Sequence, residues 1–519
     1  MEELQVRSFR TRVAKLVSGV SEVVRLRPVL PPRKVVSATT ASSLLVVVIL
    51  GFLISSRWID FPTFSGISFQ KTFSFSQTPF HYPKREGYLL NCTTANMTII
   101  CPANYPATLK LNSSSSEQCP DYFRWIHEDL LPWKKRGITR KMVEKSEKFA
   151  HFRLVIVNGT AYVKQYDKAY QSRDLFTLWG VLQLLRLYPG RLPDLDLMFQ
   201  CHDQPSIQKD WYWGWLTAVP PLFHYCGSDT TLDIVFPDWS FWGWPEVNIK
   251  PWELLMKDIE EGNRKTNWTD REAFAFWRGN LYTGPRAKLG ECNSTKDWNA
   301  VIYNHDWGKE VTEGFKDSDL AKQCTHRYKV YMEGNAWSVS EKYILACDSM
   351  TLLVNPNFYD FFTRSLVPMK HYWPINEHPK YICRSIKFAV EWGNTHTEKA
   401  QEIGRGGSRF IKDEISMANV YDYMFHVLDE YGKLFRYKPS IPPGAVELCS
   451  EKWGCSPNGL EKTDKVETMA SPTQRNPCAM PAPYDRRALR LFRTTFDFVT
   501  GETCLWPANT RSVASAAIS

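Results

Sequence analysis

The chain has 519 residues, more than one compact core usually fills, so two or three folded units with appendages are expected. Its 43% hydrophobic and 14% aromatic residues exclude a disordered chain, and the 20 tryptophans suit a protein that stacks rings on sugars or bases. The net charge is +9, but residues 1–34 hold eight basic and three acidic side chains and so contribute +5. The remaining +4 is too little for a nucleic-acid-binding surface, so no nucleic acid partner is expected.

The first predicted element is a membrane anchor. Residues 35–56 carry no charged side chain and are long enough to span a bilayer, and residues 1–34 before them form a basic tail. Because positive charge favours the cytosolic side, the sequence predicts a single-pass type II protein of the Golgi or endoplasmic reticulum membrane, with its folded part in the lumen. The alternative is a buried helix of a soluble protein.

A luminal location predicts N-glycosylation sites and disulfides, and both patterns follow the anchor. All 13 cysteines lie after it, at spacings that do not resemble zinc sites, so disulfides are expected, with one thiol left over if every other cysteine pairs. Cys92 and Cys101 are candidates for one pair. The acceptor sequences for N-glycans begin at Asn91, Asn96, Asn112, Asn158, Asn267 and Asn293.

Beyond a Ser- and Pro-rich stem over 57–118, the periodicity of apolar residues predicts alternating strands and helices. Strands are expected at 152–158, 195–201, 231–239 and 272–280, a helix at 173–188, and a helix running into a strand over 340–356. This alternation predicts an α/β fold with parallel strands over 119–460. Residues 461–519 are polar and Pro-rich at their start and are interpreted as a peripheral tail.

Three carboxylates lie at the two ends of the predicted strand 195–201. Asp194 and Asp196 form an Asp-x-Asp pair of the kind that holds a divalent metal on a nucleotide diphosphate, but so short a pattern is weak evidence. Asp203 follows the strand, at the edge where open α/β sheets gather ligands. The alternative for Asp203 is a turn residue that caps backbone N–H groups.

Two later segments are candidates for ligand contact. A loop after the strand 272–280 combines Arg278, Gly279, Gly284 and Arg286 and is a candidate cradle for phosphate groups, with solvated turn arginines as the alternative. The segment 240–253 is rich in aromatic residues and either lines a sugar or nucleotide pocket or packs between lobes.

Several ordered motifs together resemble one known family. HDQP, PDWSFWGWPEVNIKPWE, FWRGNLYTGPRAKL, HRYKVYMEGNAWSVSEKYILACDS and FFTRSLVPMKHYWPI are similar to the Rumi-type protein O-glucosyltransferases, the capsule-associated (CAP) glycosyltransferase domain, in their plant form. The resemblance covers roughly residues 86–480. It implies a GT-B fold of two Rossmann-like lobes with a cleft between them. It also implies inverting, metal-independent transfer of glucose or xylose from a uridine diphosphate (UDP) sugar to a hydroxyl of a protein or polysaccharide, with no cofactor.

The resemblance also assigns roles to individual positions. Asp203 matches the catalytic base and Arg286 matches an arginine on the donor diphosphate. Cys324 and Cys347 match a family disulfide. The other positions expected to contact the donor are Ser172, Arg173, Trp242, Trp244, Pro245, Asn248, Arg278, Asn280, Ser340 and Lys342.

The sequence departs from the family pattern at three positions. Ser340 stands where animal members carry a second donor arginine, and Lys342 nearby is the residue that could supply a positive charge instead. Gln204 and Asn335 stand where plant-type relatives have tryptophan. An active transferase is therefore the first hypothesis, and a membrane-anchored binding or scaffold protein of the same fold with impaired chemistry is the second.

Overall fold

The computed structural model describes residues 106–110, 117–215, 218–293, 297–315, 318–455, 461–487 and 489, all within one unit that spans 82–519. None of the helices in these ranges is long and apolar enough to cross a membrane. Outside these ranges lie the predicted basic tail 1–34, the anchor 35–56, most of the stem, and the candidate sites named next. Those sites are Asn91, Asn96, Asn112 and the proposed pair of Cys92 with Cys101.

The first lobe is built on a mixed six-stranded sheet. It contains β1 (Phe152–Val157), β2 (Thr160–Gln165), β3 (Leu195–Phe199), β4 (Phe223–His224), β6 (Ile234–Val235) and β13 (Val446–Glu447). Their order is β13-β2-β1-β3-β4-β6, and only the β3-β4 and β4-β6 pairs are parallel. A separate two-stranded ribbon joins β5 (Gly227–Ser228) to β11 (Phe358–Tyr359).

The turn between β1 and β2 explains why this sheet departs from an all-parallel Rossmann-like lobe. Asn158 and Gly159 have φ angles of 49° and 76°, the left-handed values that a two-residue hairpin turn requires. So short a connection can only join antiparallel neighbours, because parallel strands need a crossover of a dozen residues or more. The prediction of parallel strands is therefore correct for one side of this sheet and wrong for the other.

The second lobe has a five-stranded sheet whose neighbours are all parallel. It contains β7 (Glu272–Gly279), β8 (Ala300–Asn304), β9 (His326–Tyr331), β10 (Met350–Val354) and β12 (Trp373–Ile375). The strand order is β12-β10-β9-β7-β8. Strand β10, which lies between β12 and β9, is buried throughout, as expected for a parallel strand covered on both faces. This lobe agrees with the predicted Rossmann-like architecture.

Eleven α-helices in the described ranges connect and cover the sheets. They are α1 (Trp125–Asp129), α2 (Arg140–Lys145), α3 (Arg173–Leu187), α4 (Trp252–Lys265), α5 (Trp307–Thr312), α6 (Ser340–Leu345), α7 (Ile382–Thr395), α8 (Thr397–Arg409), α9 (Met417–Gly432), α10 (Ser450–Gly454) and α11 (Glu461–Glu467). The elements predicted at 152–158, 173–188, 195–201, 272–280 and 340–356 are confirmed with bounds shifted by a few residues. Each sheet has its own buried apolar cluster, and α9 returns to the cluster of the first lobe.

Three disulfides lie among the described residues. Cys324 pairs with Cys347, as the resemblance implied, and two further bonds join Cys119 to Cys478 and Cys292 to Cys383. The expectation of a single leftover thiol is wrong, because Cys201, Cys226 and Cys449 are all free and buried. Cysteine count alone cannot distinguish a buried thiol that packs as a small apolar side chain from one half of a disulfide.

The described part of the predicted tail is joined to the first lobe. Cys478 is bonded to Cys119, and Thr468 accepts a hydrogen bond of 2.9 Å from the indole Nε1 of Trp179 in α3. Among the described N-glycan acceptor positions, Asn158 and Asn267 are exposed and Asn293 is half-buried. The asparagines at 158 and 267 are therefore accessible for modification.

Gly180 in α3 provides a test of the packing in the first lobe. A Cβ at this position would lie 2.5 Å from the ring of the buried Trp242, so alanine forces a clash. We expect Gly180→Ala to lower the free energy of unfolding by about 1–2 kcal/mol, although alanine favours a helix by about 1 kcal/mol. Urea unfolding of the full chain, followed by tryptophan fluorescence, measures this change.

The matched control is Gly308→Ala in α5. This glycine is exposed, and a Cβ there would approach only the Asp306 carboxylate, at an ordinary distance of 3.4 Å. We expect this variant to keep or raise the stability, because the gain in helix propensity meets no clash. Equal behaviour of the two variants would contradict the packing described for α3.

Candidate active site

Asp203 lies where β3 opens into the space between the lobes. It follows a fully buried strand by four residues, and its side chain is 41% exposed. Its Oδ1 accepts a hydrogen bond of 2.9 Å from Nη1 of Arg173, and its Oδ2 accepts one of 3.2 Å from Nδ2 of Asn335. The first partner belongs to the first lobe and the second to the second lobe. The carboxylate is therefore held from both sides of the cleft.

The protonation state of Asp203 follows from these partners. Partial burial on its own raises the pKa of the carboxyl group, but the positive charge of Arg173 and the hydrogen bonds from Asn335 and Arg173 outweigh it. The pKa is therefore lowered below its ordinary value. Asp203 carries a full negative charge at neutral pH and is able to accept a proton.

Arg173 is fixed by the start of α3. It is buried, its Nη1 also donates to the backbone oxygen of Cys201 at 3.1 Å, and its guanidinium lies 4.5 Å from the ring centroid of Trp239. Ser172, the preceding residue, donates a hydrogen bond of 2.8 Å to the Glu246 carboxylate. The Ser-Arg segment and the 242–248 loop, predicted separately to contact a donor, therefore meet at one end of α3.

Gln204 and Asn335, two of the three departures from the family pattern, contact each other. Nε2 of Gln204 donates to the backbone oxygen of Asn335 at 2.9 Å, while the Asn335 side chain donates to Asp203. Two amide side chains thus form a polar bridge across the cleft where the plant-type pattern has two aromatic rings. The bridge leaves the Asp203 carboxylate partly exposed.

Arg286 lies in the loop after β7 and is bound to the turn that carries Asn335. Its Nε donates to the backbone oxygen of Glu333 at 3.1 Å and its Nη2 to that of Met332 at 3.0 Å. Gly284 allows this contact, because its φ is 56° and a Cβ there would lie 2.0 Å from the Gly334 oxygen. Burial lowers the pKa of Arg286. The two loops therefore form one unit beside Asp203.

Other residues that were predicted to contact the sugar donor are already bonded to groups of the protein itself. Nη2 of Arg278 forms an ion pair of 2.7 Å with Glu310. Lys342 is 2% exposed, and its Nζ bonds to Asp238 at 3.2 Å and to Ser240 at 2.7 Å. Because buried Asp238 already neutralises Lys342, this lysine does not present a free charge to the cleft.

The remaining predicted positions have local structural partners. Ser340 lies at the start of α6 and exchanges a hydrogen bond of 2.8 Å with Ser338. Oδ1 of Asn280 accepts from the backbone N–H of Tyr282 at 2.8 Å. Pro245 begins a single helical turn that ends at Asn248, whose φ is 55°. These contacts shape the loops around the cleft.

The two central tryptophans of the aromatic segment 240–253 differ in burial and in partners. Trp242 is fully buried and donates a hydrogen bond of 2.9 Å to the Tyr421 hydroxyl of α9, so it packs in the core. Trp244 is half-buried, and its indole N–H donates to Gln171 at 2.7 Å beside the start of α3. Only the second of these rings is partly exposed.

The Asp-x-Asp pair has protein partners on both carboxylates. Asp196 is fully buried and forms a bidentate ion pair with Arg153, with both N–O distances at 2.7 Å. Asp194 accepts a hydrogen bond of 2.8 Å from the backbone N–H of Asn158. Both residues therefore hold the first sheet together.

Sequence reasoning missed a pair of buried tryptophans, one of which lies against Arg173. Trp239 and Trp337 are buried, their ring centroids are 6.1 Å apart, and neither indole N–H has a protein acceptor in the described part of the chain. Unpaired buried donors of this kind are uncommon and mark positions where a ligand or water accepts. No spacing pattern identifies them, because they come from different lobes and meet only in the folded chain.

Comparison with known proteins supports the resemblance noted in the sequence. The model for glycosyl transferase family 90 matches residues 114–502. Human protein O-glucosyltransferase 1 is 26% identical over 354 residues, which cover 64% of this chain and 85% of the human protein. The O-glucosyltransferase rumi of Drosophila melanogaster is 24% identical over 341 residues, covering 62% of this chain and 78% of the fly protein. The Rumi-type resemblance is thereby confirmed.

The role of Lys342 can be tested by removing its charge. We expect Lys342→Met to lower the free energy of unfolding by about 3–5 kcal/mol, because it leaves the Asp238 carboxylate buried without a counter-charge. Urea unfolding of the full chain measures the loss. Lys309→Met, at an exposed ion pair in α5, is the control and should change stability by less than about 1 kcal/mol. Wild-type stability of Lys342→Met would contradict the buried ion pair.

Proposed function

The chain belongs to glycosyl transferase family 90, and we propose that it transfers glucose or xylose from a UDP-sugar to a hydroxyl group, with inversion at the sugar carbon. The observation that carries the proposal is Asp203, an ionised and partly exposed carboxylate at the carboxyl end of a strand, held by groups from both lobes. The human and fly relatives are both O-glucosyltransferases by name, which supports the choice of a hydroxyl acceptor.

In the proposed reaction Asp203 is the general base. The acceptor oxygen attacks the anomeric carbon from the face opposite the diphosphate, and the bond between that carbon and the phosphate oxygen breaks. Asp203 takes the acceptor proton as the new bond forms, and UDP leaves with the electron pair. The Arg173 charge keeps the base ionised before reaction.

The negative charge that develops on the departing diphosphate needs stabilisation, and we assign this role to Arg286. Three of its hydrogen bonds hold the guanidinium against the Met332–Glu333 backbone, so its position is set before the donor binds. We also propose that the reaction needs no metal or other cofactor. Asp194 and Asp196, the pair that resembles a metal-binding motif, are both hydrogen-bonded within the protein. Their engagement supports the metal-independent part of the proposal.

We further propose that the enzyme acts in the lumen of the Golgi or endoplasmic reticulum, anchored through residues 35–56 with the basic tail 1–34 in the cytosol. The three disulfides of the described residues support an oxidising compartment. The acceptor is then a secreted protein or a polysaccharide that passes through that compartment.

A second candidate function is binding of the UDP-sugar without transfer. It is favoured by one observation, that the position of the second donor arginine holds Ser340, while Lys342 nearby is neutralised by Asp238. A site with fewer free cations stabilises less of the charge on the leaving diphosphate. Donor binding without turnover in the full chain would establish this alternative.

Substitution of the base tests the proposed reaction directly. We expect Asp203→Asn to lower kcat for donor cleavage or transfer by about 10²–10⁴-fold, since asparagine cannot accept the proton. Turnover of UDP-glucose and UDP-xylose by the full chain, with and without a chelator, is the measurement. Asp210→Asn, in an exposed turn seven residues further on, is the matched control and should leave turnover unchanged.

Two results of this experiment would contradict parts of the proposal. Full activity of Asp203→Asn would exclude this carboxylate as the base. Loss of wild-type activity on addition of chelator, with recovery on adding a divalent metal, would exclude the metal-independent reaction while leaving the base assignment intact.

The pH dependence of kcat/KM tests the role of Arg173. The base works only when ionised, so activity falls as the pH drops through the Asp203 pKa, which Arg173 lowers. We expect Arg173→Gln to raise that pKa and move the acid limb to higher pH. Arg173→Lys keeps the charge and should stay closer to the wild type. If the acid limb of Arg173→Gln stays at the same pH as in the wild type, the loss of activity at low pH reports the titration of a group other than Asp203.

A further inference from the structure

An open groove runs over the first lobe to the residue before the proposed base. It consists of two adjoining cavities of about 860 and 380 Å³ that share Glu147, Lys148 and Tyr166 in their walls. The larger cavity extends to Trp211, and the smaller reaches His202, which directly precedes Asp203. None of the residues to which the proposed function assigns a role lines either cavity.

The smaller cavity contains a buried hydrogen-bond donor without an acceptor. His151 is 2% exposed, and its Nδ1 accepts the backbone N–H of Cys201 at 3.0 Å. Burial and the neighbouring His202 lower the pKa of His151 to about 4, so its ring is neutral and its proton must lie on Nε2. Nε2 has no partner among the described residues.

The same cavity is lined by a buried acceptor without a donor. Gln200 is 5% exposed, and its Nε2 donates to the Ser206 hydroxyl at 2.6 Å, which leaves Oε1 without a partner in the described ranges. A hydroxyl group both donates and accepts, and is thus the complement of one N–H and one carbonyl oxygen. Each of these two atoms, one a donor and one an acceptor, is therefore able to bond to a sugar hydroxyl.

The larger cavity offers aromatic surface with balanced charge. The side chain of Trp211 is 59% exposed, and its ring stacks at 19° with that of Phe149, with centroids 6.5 Å apart. Tyr166 and Tyr212 also line this cavity. Its charged side chains, two acidic and two basic, are Glu144, Glu147, Lys145 and Lys148. Flat apolar rings and no net charge suit an uncharged ligand with one apolar face.

We infer that this groove is the acceptor site and that the acceptor is a neutral oligosaccharide. One sugar ring lies on Trp211, and a sugar nearer the base places a hydroxyl between His151 and Gln200. The chain end then continues past His202 toward the Asp203 carboxylate. The inference rests on the proposed function, because it takes Asp203 as the place of reaction. It selects a glycan over a folded protein as the acceptor.

Direct binding to the full chain tests the groove independently of turnover. The probes are neutral tetra- to hexasaccharides of glucose, xylose, galactose and mannose, titrated by calorimetry. We expect one series to bind wild type and to bind Trp211→Ala about tenfold more weakly, because the stacking surface is lost. We expect a similar loss for His151→Asn, whose amide oxygen can still accept from Cys201 but which lacks the Nε2 donor. Trp211 is exposed, so its variant tests the groove even if His151→Asn fails to fold.

The control is Tyr381→Ala, which removes an exposed ring beside α7 in the second lobe and should bind like wild type. Equal affinity of Trp211→Ala and wild type would overturn the inference. It would also be overturned if no oligosaccharide binds while a folded protein accepts sugar from the enzyme, and in that case the proposed function stands. Oligosaccharide binding without any UDP-sugar cleavage would support the groove and count against the proposed function.

Discussion

The ion pair between Arg173 and Asp203 is the interaction on which the organisation of the cleft depends. It joins the start of α3 to the end of β3, the two places where the first lobe opens toward the second. Since α3 is buried along most of its length, Arg173 has little freedom to move, and its guanidinium lies against the ring of Trp239. The carboxylate is therefore ionised and oriented by the same contact. Because the carboxylate is already ionised and oriented, it needs no rearrangement before it accepts a proton in the proposed reaction.

Burial separates the charged groups that maintain the fold from those able to react. Asp196, Asp238 and Glu310 each face a cation inside the protein, and breaking any of these pairs would leave a buried charge uncompensated. Asp203 also has an arginine partner, but its side chain is 41% exposed. This difference in access, rather than residue type, distinguishes Asp203 from these three buried carboxylates.

The second lobe contributes to the site through loops rather than through its sheet. The turns after β7 and β9 are bound together by Arg286, and the second of these turns brings Asn335 to Asp203. A change in the distance between the lobes would therefore move Arg286 and Asn335 together relative to Asp203. The groove beside His202 belongs to the first lobe alone. In the proposed reaction, the donor and the acceptor would therefore be held by different surfaces on either side of Asp203.

By itself the sequence determined the elements whose signals are local. The strand at β7 and the helix α3 depend on side-chain periodicity within a few residues. The ordered motifs identified the family, and with it the disulfide between Cys324 and Cys347. These conclusions needed no knowledge of which distant residues meet.

Only the tertiary structure decided which side chains are free to act. Lys342 and Asp238 are 104 residues apart, and Asp203 and Asn335 are 132 apart, so no local pattern could reveal that one pair is buried and the other bridges a cleft. The buried free thiols and the unpaired atoms of His151 and Gln200 likewise depend on contacts between residues that are distant in the sequence. Exposure and pairing are properties of the packed chain, because they depend on every element that surrounds a group.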